Sequence, residues 1–402
     1  MLKSIYMKFL KVLFQIFILS LIVGVGVYIY YTRFSKHVLI NPVEYSAFKN
    51  VVPESPDLCL SDDNIQYYFY ENIPETEQRN NKFGIYIYPD NEKFIKLADE
   101  LVNSNGGDWG YVLIPFNVQE HDEEKWQRIF FLLHKKHLIP IIQLWNINPD
   151  DYKDETEESA EFLNQFPWPI KQRYISVYNE PNDASFWYGE VNPEEYARIL
   201  DYTIEKFKKE SNDFYIMNGA LNLTAPNAPN YMDAFEFMWK MNGEVPGIFQ
   251  RIDAWASHPY PQPAFRGSPE DTGRDSIRGY EDELKFLKDE LGVTKDLKVF
   301  ITETGWPHDV GKTYNPSYLS LSQVSENIKY AYEKVWLPDD RVVAVTPFTI
   351  WYDAPHDHFS WVNQDGSPYE HFQTVKAMKK PAGNPAKLAT SEIASLRCEN
   401  AN

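Results

Sequence analysis

The stretch Tyr174-Ile-Ser-Val-Tyr-Asn-Glu180-Pro-Asn182 is a short, largely apolar run that ends on a glutamate and a proline. A run of this length, too short for a helix and closed by turn-forming residues, reads as a strand buried on both faces, as in a parallel sheet. Pro181 lacks a backbone N–H and marks where the strand opens into a loop. Lys298-Val-Phe-Ile-Thr-Glu303-Thr-Gly-Trp-Pro307 has the same form: an apolar run, then a glutamate at its exit.

Comparable runs recur at 83–88, 109–116, 138–145, 174–179, 214–220, 252–258, 298–303 and 342–351. Between them lie segments of helical period near 91–103, 122–136, 156–165, 193–210, 230–241, 276–291 and 317–335, with a last one near 369–379. Parallel strands covered by amphipathic helices give this alternation. Eight such units predict an α/β chain folded as a single (β/α)8 TIM barrel over residues 81–380. An open, doubly wound sheet is the rival. Its dinucleotide-binding form needs a glycine-rich first turn, and the first turn is Tyr88-Pro-Asp-Asn-Glu92.

The flanks are of other kinds. Residues 12–31 carry no charge, and such a run is long enough, at about 1.5 Å per residue, to cross a hydrocarbon layer of roughly 30 Å. Lys3, Lys8 and Lys11 precede it, and Arg33 and Lys36 follow. Residues 1–36 are thus expected to form a cytoplasmic stub and an N-terminal transmembrane helix, a signal anchor holding the rest outside the cell membrane. A cleaved signal on a secreted protein is the alternative, disfavoured by the run's length and the lack of a small-x-small cleavage site. Residues 37–80 read as a membrane-proximal linker, and 381–402 as a poorly ordered tail.

The net charge of −19 argues against nucleic acid as a partner, since phosphate contacts need lysine and arginine. Aromatic residues make up 16% of the chain, enough for a large core with rings left over for sugar-stacking surfaces. The two cysteines, Cys59 and Cys398, flank the barrel and have no metal-ligand spacing; whether they pair stays open. Neither a cofactor nor a metal is expected.

Chain order puts Glu180 at the end of the fourth strand and Glu303 at the end of the seventh. A barrel gathers the C-terminal ends of all its strands on one face, where active sites lie. Two carboxyls meeting there suit the cleavage of a glycosidic bond: one holds a proton for the departing oxygen, and the other attacks the anomeric carbon or activates water.

The triplet Asn179-Glu180-Pro181 after a hydrophobic strand resembles the acid/base motif of the retaining glycoside hydrolases of clan A, and Thr302-Glu303-Thr-Gly-Trp-Pro307 is similar to their nucleophile strand. The resemblance covers residues 83 to about 380. It implies an O-glycosyl hydrolase with Glu180 as general acid/base and Glu303 as nucleophile, acting by double displacement on an extracellular β-linked oligo- or polysaccharide. It also implies that Asn179 donates to the sugar 2-hydroxyl and that His258 or Tyr260 bonds Glu303. Trp351 is then the floor beneath the reacting sugar, and Trp145, Trp306 and Trp187 are further sugar contacts. Several branches of the clan carry an arginine or histidine near the first or second strand end. None is found here, and Asn117 is the candidate for that role. Two other readings share the barrel: a transglycosylase, in which a sugar hydroxyl intercepts the intermediate, and a catalytically weak carbohydrate-binding surface protein. The sequence leaves the oligomeric state open.

Overall fold

The computed structural model describes residues 59–60, 66–67, 70–88 and 92–389, all within one compact unit. Eight parallel strands form the core of that unit: β1 Gly84–Tyr86, β2 Gly110–Asn117, β3 Leu138–Trp145, β4 Arg173–Val177, β5 Phe214–Asn218, β6 Trp255–Ser257, β7 Val299–Ile301 and β8 Val342–Val345. Strands β1 to β5 pair in chain order, as do β6 to β8. A parallel bridge from Met217 to Ala254 joins β5 to β6, and one from Phe83 to Val345 joins β8 to β1, so the ring closes. Each of the eight runs singled out in the sequence overlaps one of these strands.

Among the described residues, eight α-helices of eight or more residues cover the barrel: α1 Glu92–Val102, α2 Glu123–Lys135, α3 Tyr152–Asn164, α4 Pro193–Glu210, α5 Ala234–Glu244, α6 Gly279–Asp289, α7 Leu321–Tyr330 and α8 Glu370–Ala377. Their starts are chemically marked. Asp122, Asn192 and Asp233 each accept a backbone N–H of the first turn, and Ser320 with Gln323 forms a capping box. The expected helix over 317–335 is divided, α7 passing into a π turn at Ala331–Trp336.

Period-two alternation sorts the strand residues. Val112, Ile114 and Phe116 of β2 face the helices, as do Leu138, Ile142 and Leu144 of β3. Tyr111, Leu113, Ile139, Ile141, Tyr174 and Phe300 fill the barrel interior. Continuing that inward series along β2 and β3 brings Asn117, Gln143 and Trp145 to the mouth.

Residues 381–389, expected to begin a poorly ordered tail, instead pair with the rest of the chain. Ala382 bridges Asp108, Lys387 bridges Ile170, and Leu388 bridges Tyr70. These contacts satisfy backbone groups on both sides, which is why this end of the chain is held. Residues 390–402 and the predicted transmembrane segment 12–31 lie outside the described residues, as does Cys398. Among the described residues no helix is long and apolar enough to cross a membrane.

Candidate active site

Strand β4 ends abruptly. Tyr178 and Glu180 both take positive φ, 72° and 37°, a region that non-glycine residues rarely enter and that costs energy to hold. The Glu180 N–H donates to the Ala220 carbonyl at 2.9 Å, which holds the kinked segment against the end of β5. Beyond β7, Thr304 Oγ1 donates to the Pro259 carbonyl at 2.8 Å, tying the Glu303 segment to the exit of β6.

These constraints bring the two glutamates to one histidine. His258 Nδ1 lies 3.0 Å from Glu180 Oε1 and 3.8 Å from Glu303 Oε2. Laid end to end, the two distances bound the separation of those oxygens at roughly 7 Å, which leaves room for the retaining carboxyl separation of about 5–5.5 Å. Tyr260 OH donates to Glu303 Oε2 at 3.0 Å. The imidazole has no solvent exposure, and the Glu180 and Glu303 side chains are 12% and 13% exposed. Both acids can therefore meet a substrate while remaining largely desolvated.

Burial pushes the Glu303 carboxyl up to about 7, against the opposing pull of His258; the nearby Glu180 raises it further, and the Tyr260 hydrogen bond lowers it. Burial alone would lower the His258 imidazole, but the Glu303 charge and the Glu180 hydrogen bond outweigh it and raise the group above its usual value. Glu303 and His258 accordingly bias each other's protonation. Behind them Glu283 of α6 is fully buried and accepts from Ser257 Oγ. Burial pushes its carboxyl up to about 7 as well.

Asn179 is oriented by a residue that the sequence reading did not single out. Gln143 Nε2 donates to Asn179 Oδ1 at 3.1 Å, and Tyr86 OH donates to Gln143 Oε1 at 3.4 Å. With its oxygen so engaged, Asn179 keeps its amide N–H groups for a ligand. Asn182 was also missed as a working residue. Fully buried, its Nδ2 donates to the Asn222 and Met232 carbonyls, each at 2.9 Å, and its Oδ1 accepts the Asn222 N–H at 2.9 Å. This one amide ties the loop after β4 to the loop after β5. Single buried amides show no periodicity, and their role exists only once the loops meet.

A cleft of about 1020 Å³ opens above the glutamates. Glu180, Glu303, Asn179, His258, Tyr260, Trp145, Asn117 and Trp187 line it. Trp145 is half-exposed. Asn117 Oδ1 accepts from Gln119 N and Asn146 Nδ2, both at 3.1 Å, and has no hydrogen bond to Glu303. Trp187 is 1% exposed, its Nε1 donates to Glu195 at 3.0 Å, and its ring packs edge-on to Tyr178 and Tyr196, so it braces the wall.

Two expected sugar contacts lie elsewhere. Trp351 is not among the lining residues and stacks on Phe94 of α1, with ring centroids 6.0 Å apart. Strand β8 stops at Val345, so Trp351 sits beyond the rim, and Phe348 and Tyr352 line the cleft instead. Trp306 is also absent from the lining. It is buried, and its Nε1 donates to the Gly267 carbonyl at 2.8 Å, fastening the loop after β6.

No family model matches this chain, and no curated protein does. Solved structures similar to it include a GH128 (subgroup II) endo-beta-1,3-glucanase from Pseudomonas viridiflava, 15% identical over 74% of this chain and 98% of that chain, with a TM-score of 0.49. A beta-glucanase from Saccharophagus degradans, solved with cellotetraose, is 15% identical over 80% of this chain and 90% of that one, with a TM-score of 0.45. A beta-glucuronidase from an uncultured Clostridium sp. is 12% identical over 74% of this chain, with a TM-score of 0.48; this chain spans 50% of its length.

Proposed function

We propose that this chain hydrolyses β-glycosidic bonds with retention of configuration, with Glu303 as nucleophile and Glu180 as acid/base. The observation that carries the reading is the meeting of Glu180 and Glu303 on His258, from strands far apart in sequence, within one ring-lined cleft. In the first step Glu303 attacks the anomeric carbon while Glu180 gives a proton to the departing oxygen. In the second, Glu180 takes a proton from water, which displaces Glu303. His258 Nδ1 lies within hydrogen-bond reach of the carboxyl that must deliver the proton. The Tyr260 hydroxyl and His258 favour the ionised form of Glu303 against the burial that opposes it. Turnover of an aryl β-glycoside, followed by proton NMR, tests the reading. The β-anomer should be the first product seen; first appearance of the α-anomer would exclude double displacement.

The pH dependence follows from the same contacts. Attack needs Glu303 ionised, and its carboxyl lies near 7, so kcat/KM should climb as pH rises through that value. Tyr260→Phe removes a hydrogen bond that lowers the Glu303 pKa. The climb should then shift to higher pH, with a loss of roughly 10–100-fold at neutrality. An unmoved acidic limb in the pH–rate profile of this variant would show that Tyr260 does not tune Glu303.

A further inference from the structure

Eight large hydrophobic side chains are exposed among the described residues, and five of them line this one cleft: Trp145, Phe186, Tyr188, Tyr231 and Phe265. Their setting differs from one side of the cleft to the other. On the side of β1, β6 and β8 the rings lock onto each other. Tyr260 meets Phe265 and Phe359, Phe359 meets Phe348, and Tyr88 meets Tyr352, with centroids 5.1–6.0 Å apart. Rings packed edge-on in this way make a wall. On the side of β3 to β5, Trp145, Phe186, Tyr188 and Tyr231 contact no other aromatic ring among the described residues, and their exposures run from 37% to 58%. Tyr188 holds a positive φ of 49° in doing so. The loops that carry Phe186, Tyr188 and Tyr231 are tied to each other. Asp183 bridges Tyr231, Ala184 N donates to the Asn230 carbonyl at 2.9 Å, and Asn182 ties the same two loops.

The charge along the cleft is lopsided as well. Five carboxyl groups line it, those of Glu120, Asp122, Glu180, Asp183 and Glu303, against one lysine, Lys125, two histidines, His258 and His356, and no arginine. A sugar acid entering here would meet like charge in a partly desolvated groove, an arrangement that disfavours binding. The cleft volume of about 1020 Å³ sits at the top of the roughly 300–1,000 Å³ typical of small-molecule sites, more room than one sugar ring needs.

We infer that the four free rings form a leaving-group arm that takes an uncharged β-glycan of several units and rejects uronic-acid glycans. This deepens the proposed function and rests on it for direction. The acid protonates the departing oxygen, so the leaving half of the substrate lies on the side of Glu180, at the end of β4. That is the side on which Trp145, Phe186, Tyr188 and Tyr231 stand. Aromatic faces stack on the C–H faces of sugars without needing charge, and loops that are already tied together need less ordering when a glycan settles on their rings. The same arm would hold an acceptor sugar poised to intercept the intermediate.

Calorimetry on the full chain carrying Glu303→Gln tests this without relying on turnover. The probes are hexasaccharides of β-1,3-glucan, β-1,4-glucan, β-1,4-mannan and β-1,4-xylan, with a β-1,4-mannuronate hexamer as the charged counterpart. At least one neutral hexamer should bind roughly 100-fold more tightly than the mannuronate. Trp145→Ala and Tyr188→Ala, each added to Glu303→Gln, should weaken that binding by about 5–10-fold, with the melting temperature unchanged. Equal affinity for the mannuronate, no binding of any neutral hexamer, or no response to the ring substitutions would overturn the inference. Aryl β-glycoside turnover by the unsubstituted protein, measured in parallel, separates the two claims. Turnover without hexamer binding removes the arm and leaves the chemistry. Ring-dependent binding without turnover leaves the arm and removes the chemistry.

Discussion

Replacing Glu303 by glutamine should abolish turnover, with kcat on an aryl β-glycoside falling by roughly 10⁴-fold or more, as for the loss of other covalent nucleophiles. The amide fills the same volume and can still accept from Tyr260, so the fold and the cleft should persist. What it cannot do is form the glycosyl ester. Since the group removed acts only along the reaction coordinate, the loss belongs in kcat, with substrate affinity largely retained. Substitution also removes the carboxyl that burial holds near 7, so any residual rate should lack the rise through neutral pH. Residual activity within tenfold of the unsubstituted protein would rule Glu303 out as nucleophile.

Glu180→Ala should produce a different pattern, graded by leaving group. For a sugar leaving group, whose oxygen needs a proton, kcat/KM should fall by roughly 10³–10⁴-fold, the range over which general acids act. For 2,4-dinitrophenolate, a stable anion without a proton, kcat/KM should stay within about tenfold, while kcat drops because water has lost its base. Azide needs no base, so added azide should restore kcat and yield a β-glycosyl azide. A uniform loss across leaving groups would remove the acid role from Glu180. The contact between Glu180 Oε1 and His258 Nδ1 gives a further expectation, since without the carboxylate the imidazole loses a partner that raises its pKa.

The parts of this account that were legible in the sequence share a physical character. Strands buried on both faces must be continuously apolar, so 138–145 and 174–179 stood out, and their order was enough to close eight units into one ring. Glu180 and Glu303 were visible because each ends such a strand within a distinctive motif, Asn179-Glu180-Pro181 and Thr302-Glu303-Thr304. Other features exist only in three dimensions. Gln143 looks like one polar interruption of an apolar strand until Asn179 is seen to accept its hydrogen bond. Asn182 looks like a turn residue until Asn222 and Met232 arrive from another loop. Trp351 was misplaced for a related reason. Its apolar run continues past Val345, where pairing stops, so counting along the sequence overshot the rim and the ring went to Phe94. Trp306, three residues past a catalytic candidate, turned out to hold a loop through its indole N–H. Proximity in sequence to a strand end therefore located the carboxylates, Trp145 and Tyr260 but not Trp351 or Trp306. The places of the two acids are set by their strands, and those of Trp351 and Trp306 by the loops that carry them.

The central claim is that Glu303 forms a covalent bond to the sugar while Glu180 manages the proton. Its most direct test is to treat the protein with an activated 2-deoxy-2-fluoro β-glycoside, which slows breakdown of the intermediate, and to map the digested peptides by mass spectrometry. One fluoroglycosyl group should be found, on Glu303, with activity lost in step with labelling. A label on any other residue, or rapid turnover of the reagent with inverted product and no label, would contradict the account.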